Sequence, residues 1–126
     1  MEKETILVTG AAGFIGYAIV LKLLSRGEKV IGVDNLNDYY DVDLKKCRLN
    51  IISNFSKKNN CSWNFHQISL EDESSLIKLN KTYRPHKIIH LAAQAGVRHS
   101  ITNPEDYVNS NLIGFYNIIE NSTFKK

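Results

Sequence analysis

Three glycines and one acid carry the chemistry of this chain. Residues 5 to 16 read Thr-Ile-Leu-Val-Thr-Gly-Ala-Ala-Gly-Phe-Ile-Gly, an apolar run that ends in Gly10, Gly13 and Gly16. Asp34 closes the next apolar run, about 20 residues further on. A strand, this glycine turn, a helix and a second strand ending in an acid make a dinucleotide site the leading reading. Gly10 can take the backbone angles of a tight strand-to-helix turn. Gly13 lets a pyrophosphate approach the main chain where free N–H groups and the helix dipole favour an anion. Gly16 lets the helix pack close on the sheet. Asp34 can accept hydrogen bonds from ribose hydroxyls and repels a 2′-phosphate. No arginine stands in Asn35-Leu36-Asn37 to offset that repulsion, so NAD is expected over NADP. A P-loop is excluded, because no Gly-Lys-Ser/Thr follows the run.

The elements that must position these residues follow from periodicity. The first strand is expected at Thr5–Thr9. The first helix starts near Gly13, carries Ile15, Ile19 and Leu23 on one face, and ends at Gly27. The second strand is expected at Lys29–Val33. Asp41 caps a second helix whose apolar stripe is Leu44, Cys47, Ile51 and Phe55. A third strand at Ser62–Ile68 and a third helix from near Glu71 to Asn80 precede a fourth strand at Lys87–Ala92. Asn103-Pro104-Glu105-Asp106 reads as a capped helix start, and Tyr107, Asn111, Gly114, Phe115 and Ile118 recur at helical spacing. Alternation of this kind implies an α/β, Rossmann-type doubly wound parallel sheet, truncated after the fourth βα unit. The expected strand order is 3-2-1 with strand four beyond strand one, and the cofactor belongs at the switch point between strands one and four.

Bulk properties narrow the function. The chain has 126 residues, 43% of them hydrophobic, which suits one small domain over residues 1–126 and leaves little room for a second, so no substrate domain is expected within it. The net charge is +3 and the basic residues form only short clusters, which is no nucleic-acid footprint. Cys47 and Cys61 read as reduced, buried thiols rather than a disulfide framework. No signal peptide or membrane span is visible, and a cytoplasmic location is expected.

Other constellations read as structural. Tyr83 and Lys87 satisfy a Tyr-x-x-x-Lys spacing, but Pro85 between them prevents a helical turn from aligning the pair. His86 and His90 lack a third zinc ligand. Asp34 to Asp43 lacks the glycine and closing glutamate of a calcium loop. Glu71, Asp72 and Glu73 complement a helix dipole. No catalytic residue and no metal site are assigned. Arg98 lies just past strand four, where it can meet a diphosphate or a sugar carboxylate; a solvated loop arginine is the alternative.

Four segments carry a resemblance. They are Val8 to Gly16, Asp34-Asn35-Leu36-Asn37-Asp38-Tyr39-Tyr40-Asp41, His90-Leu91-Ala92-Ala93-Gln94-Ala95-Gly96-Val97-Arg98, and Tyr107 to Glu120. They resemble the extended short-chain dehydrogenase/reductase family, and within it the nucleotide-sugar epimerases that act on UDP-glucuronate. The resemblance implies that Gly10, Gly13, Phe14 and Ile15 cradle the NAD pyrophosphate, while Asp34, Asn35 and Asn37 hold the adenosine ribose. It implies Ser69 and Leu70 beside the adenine, and Leu91, Ala92 and Ala93 on the nicotinamide side. Ser110 would lie near the cofactor phosphates, and Asn111 would hold the backbone of the fourth helix. Ser69 stands where the family usually has Asp, which removes a charge-assisted hydrogen bond to adenine. His99 stands where tyrosine is common. The implied activity is NAD-dependent 4-epimerisation of UDP-glucuronate to UDP-galacturonate. The family's Tyr-x-x-x-Lys motif would lie beyond Lys126, so the chain alone is expected to be inactive. The alternative is a non-catalytic nucleotide-binding module or a truncated remnant. Expected partners are a nucleotide-sugar substrate and either a second copy or a complementing carboxyl-terminal half, with no nucleic acid and no membrane.

Overall fold

The computed structural model describes residues 4–37, 41–92 and 101–121. Strand β1 is Thr5–Thr9, helix α1 Phe14–Ser25, strand β2 Lys29–Asp34 and helix α2 Val42–Asn59. Strand β3 is Trp63–Gln67, helix α3 Glu73–Tyr83 and strand β4 Lys87–His90. Helix α4, Pro104–Tyr107, runs through a π-helical segment, Val108–Ile113, into helix α5, Gly114–Glu120. The strands pair in the order β3-β2-β1-β4, all parallel. This is the expected doubly wound α/β sheet.

Alternation along β1 builds two cores. Ile6 and Val8 face one side and pack with Val20, Leu23 and Leu24 of α1 and Ile52 of α2. Leu7 faces the other side, with Ile31 and Val33 of β2, Leu76 and Leu79 of α3 and Ile118 of α5. Leu7 and Val8 are wholly buried, as a central parallel strand requires. Ile88 and Ile89 of β4 are only half-buried, and among the described residues β4 pairs with β1 alone.

The helix ends follow their local chemistry. Gly27, at φ +84°, closes α1, and the amides of Gly27 and Glu28 return to the carbonyls of Leu24 and Leu23. Asp41 caps α2 by accepting from the Asp43 amide at 2.9 Å, as its position predicts. Asp72 caps α3 by accepting from the Ser75 amide, so the helix starts two residues later than expected.

Two expectations fail here. Asn103 stands before Pro104 but makes no side-chain cap hydrogen bond. The expected stripe of the fourth helix holds at Gly114 and Ile118 but not at Phe115. Gly114, Asn117 and Ile118 are buried, while Phe115 is 47% exposed.

Candidate functional site

The glycine turn lies at the carboxyl ends of β1 and β2, beside the end of β4. Gly10 has φ +72° and donates its amide to the Val33 carbonyl at 2.8 Å. A Cβ there would lie 2.9 Å from the Ala92 nitrogen and the Leu91 carbonyl carbon. Only glycine combines that φ with that approach. Gly16 is more constrained still: a Cβ would fall 1.9 Å from the Gly10 carbonyl oxygen. Its role is therefore to seat α1 on the turn itself, closer than the sheet packing expected. Gly13 precedes α1 in extended conformation, and a Cβ there would meet only the Gly10 oxygen, at 3.2 Å. α1 has neither a side-chain cap nor an acid in its first turn, so its first amides and dipole are left for an anion. Phe14 and Ile15 are exposed at that opening.

Asp34 is buried at the end of β2. Its Oδ2 accepts from the Ala12 amide at 3.0 Å and its Oδ1 from the Leu36 amide at 2.8 Å. The carboxylate thus ties the glycine turn to the loop after β2. A carboxylate has about four acceptor positions, so both oxygens retain capacity for a ribose. Asn35 Oδ1 accepts from the Asn37 amide at 3.1 Å. These expected residues do come together.

Two cations that sequence reading missed complete this wall. Lys45 is buried and its Nζ donates to the Asn37 carbonyl at 2.9 Å and to Asn37 Oδ1 at 3.2 Å. Arg48 Nη1 donates to the Ala12 carbonyl at 3.1 Å, and its guanidinium lies 5.9 Å from the Phe14 ring centroid. The expected α2 stripe is corrected accordingly: Leu44, Cys47 and Ile51 are exposed, Phe55 packs at the edge of the core, and the inward face is Lys45, Ile52 and Ser56. Residues 45, 49, 52 and 56 have the same helical spacing, but a lysine at its head hid that stripe from an apolar count.

Thr9 is a second missed residue. Its buried Oγ1 accepts from the Leu91 amide at 2.9 Å and the Ala92 amide at 3.1 Å, and lies 2.7 Å from His90 Nδ1. It holds the segment after β4 against β1. Burial lowers the His90 pKa.

The remaining candidates divide. Ser69 is half-buried and its carbonyl accepts from the Asp72 amide. Leu70 is buried: it packs with Ile118, lies against Gly114, and its carbonyl accepts from the Asn117 side-chain amide at 2.9 Å. Leu91 is 36% exposed and Ala92 packs on the second core. Ser110 and Asn111 fall in the π-helical segment. Ala93, Arg98 and His99 lie outside the described residues. Tyr83 and Lys87 are engaged elsewhere. The Tyr83 hydroxyl is 2.8 Å from His66 Nε2, and Lys87 Nζ is 2.8 Å from Glu4, at the opposite end of the sheet.

A parallel sheet of order β3-β2-β1-β4, with a glycine turn and a buried acid at the switch point, defines a dinucleotide-binding Rossmann-type domain. The chain belongs to the family described as GDP-mannose 4,6 dehydratase, whose sequence profile matches residues 7–125. It is 48% identical over 115 residues to Protein CapI of Staphylococcus aureus, covering 91% of this chain and 33% of that protein. It is 47% identical over 114 residues to a UDP-glucuronate 4-epimerase of Thermodesulfobacterium geofontis, covering 90% and 34%. The chain spans about a third of the length of the curated relatives it matches. Among solved structures, it is similar to a UDP-glucose 4-epimerase of Thermotoga maritima crystallised with UDP-glucose. That match has TM-score 0.73 and 35% identity, and covers 93% of this chain and 33% of the other. A Thermus thermophilus UDP-glucose 4-epimerase in complex with NAD matches with TM-score 0.71 and 32% identity, at 93% and 33% coverage. Among the described residues no helix is long and apolar enough to cross a membrane.

Proposed function

We propose that this chain is the NAD-binding part of a nucleotide-sugar 4-epimerase that interconverts UDP-glucuronate and UDP-galacturonate. The observation that carries the reading is the Asp34 carboxylate, buried at the switch point and bonded to the Ala12 amide of the glycine turn. The uncapped first turn of α1 binds the pyrophosphate, and Gly13 keeps that approach open. Asp34 takes the ribose hydroxyls, and the Asn37 loop, clamped by Lys45, closes over that side. Leu91 and Ala92, fixed by Thr9, form the floor at the nicotinamide end. NAD, when bound, supplies a hydride acceptor and donor for the sugar C4. The 47% identity to a UDP-glucuronate 4-epimerase supports the choice of sugar.

Tyr83 and Lys87 are held elsewhere, and the His90 imidazole at the end of β4 is engaged by Thr9. The chain by itself is thus a nucleotide-binding module. Mixing it with a separately expressed carboxyl-terminal part of a close relative, NAD and UDP-glucuronate tests the reading. UDP-galacturonate formed only when both parts are present is expected. Release of a different sugar product from other UDP-sugars, with UDP-glucuronate untouched, would contradict the substrate assignment.

A further inference from the structure

The cations of α2 give this site a selectivity element of its own. Ala12 is bonded on both sides: its amide donates to Asp34, at 3.0 Å, and its carbonyl accepts from Arg48, at 3.1 Å. The guanidinium is therefore one residue away from the carboxylate that reads the ribose. One N–H of Arg48 is committed to Ala12, and a guanidinium has five. Lys45, one turn before it on the same helix, brings a second, buried ammonium to Asn37. Among the described residues neither cation lies within ion-pair distance of a carboxylate.

Resting on the NAD reading above, we propose that Arg48 is a specificity-determining residue: its guanidinium meets the 2′-substituent of the adenosine ribose and offsets the repulsion that Asp34 imposes on a 2′-phosphate. A planar fork of donors suits a phosphate dianion better than a neutral hydroxyl. Asp34 and Arg48 then act in opposition across a single residue, Ala12. NAD remains preferred, but by a smaller margin than Asp34 alone would set.

Calorimetric titration of NAD and NADP tests this on the wild-type protein and on Arg48→Met, which keeps the alkyl packing, and Arg48→Lys, which keeps the charge. The same series in an Asp34→Asn background keeps NADP binding measurable, with circular dichroism as a check on folding. Arg48→Met is expected to weaken NADP about tenfold more than NAD, with Arg48→Lys in between and the difference shrinking at high salt. Equal loss for both dinucleotides would make Arg48 a clamp on the turn and overturn the assignment, as would no loss for either. A wild-type protein that binds neither dinucleotide would refute the NAD reading, and this inference with it. NAD binding with an unchanged NADP-to-NAD ratio in the variants would refute only the role of Arg48.

Discussion

Thr9 and His90 stand opposite each other in the β1–β4 register, and a 2.7 Å hydrogen bond joins the hydroxyl to Nδ1 of the ring. The direction of that bond follows from counting. Thr9 Oγ1 already accepts two backbone amides, from Leu91 and Ala92, which fills its lone pairs. Its one proton must then go to His90 Nδ1, so the imidazole is neutral with its proton on Nε2. Protonating Nδ1 sets two donors against each other and breaks the hub.

A pH dependence follows. Burial among Phe115 and the end of β4 holds the His90 pKa below its ordinary value of 6.5, and no charged neighbour contributes. The unfolded chain therefore binds a proton that the folded one refuses. Stability is full above 6.5 and falls as pH drops from there through the lowered folded value. Urea unfolding at a series of pH values should show this slope in the wild type and lose it in His90→Asn. An equal slope in both would assign the dependence to other groups. Nitrogen chemical shifts of the ring should report the Nε2–H tautomer; an Nδ1–H ring would contradict the hub.

The glycines separate fold from binding. A methyl group at Gly16 would meet backbone, the Gly10 oxygen at 1.9 Å and its carbon at 2.8 Å, and neither can swing aside. Gly16→Ala should cost about 1–3 kcal/mol or more and lower the melting temperature clearly. Gly13→Ala has only the Gly10 oxygen at 3.2 Å to displace and should cost less stability. It should nevertheless weaken NAD, because the added methyl group stands where the pyrophosphate approaches. Thermal melts and NAD titrations of the two variants check the order; a Gly16→Ala protein as stable as Gly13→Ala would contradict it.

How much of this was legible in the sequence depends on what each residue answers to. Gly10, Gly16 and Asp34 obey local rules of turn and strand end, and their places and the sheet order could be read directly. Lys45 and Arg48 could not, because their partners lie 8 and 36 residues away and their helix face was ranked by apolarity. Thr9 looked like one more strand residue until β4, over 80 residues on, brought its amides and His90 to the hydroxyl. In the last helix Gly114 and Ile118 kept their expected buried places, whereas Phe115, counted with them for its apolarity, is half exposed. The packing of Leu70 against Ile118 of α5 was likewise not legible, because the two lie far apart in the chain.

Self-association is expected. β4 has an open side among the described residues, and Leu112, Phe115, Tyr116 and Ile119, clustered in the last helical stretch, are 65, 47, 59 and 49% exposed. Open strand edges and apolar surface of this kind recruit further chains. Light scattering should show a mass that rises with concentration. A steady monomer at high concentration would mean that the edge is covered.

Alone, the chain should leave UDP-glucuronate unchanged in the presence of NAD. General acid–base assistance is worth roughly 10²–10⁴-fold, and Tyr83 is engaged with His66 of β3. Chromatography of the reaction mixture checks this; measurable UDP-galacturonate would force a search for a base near His90.

The most direct test of the account is a calorimetric titration of NAD onto the wild-type chain and onto Asp34→Ala, with circular dichroism to confirm folding. Saturable binding at one NAD per chain is predicted, weakened roughly tenfold to a hundredfold in the variant by loss of charge-assisted hydrogen bonds. No saturable binding by the wild type, or equal affinity in a folded Asp34→Ala protein, would contradict the dinucleotide site proposed at the glycine turn.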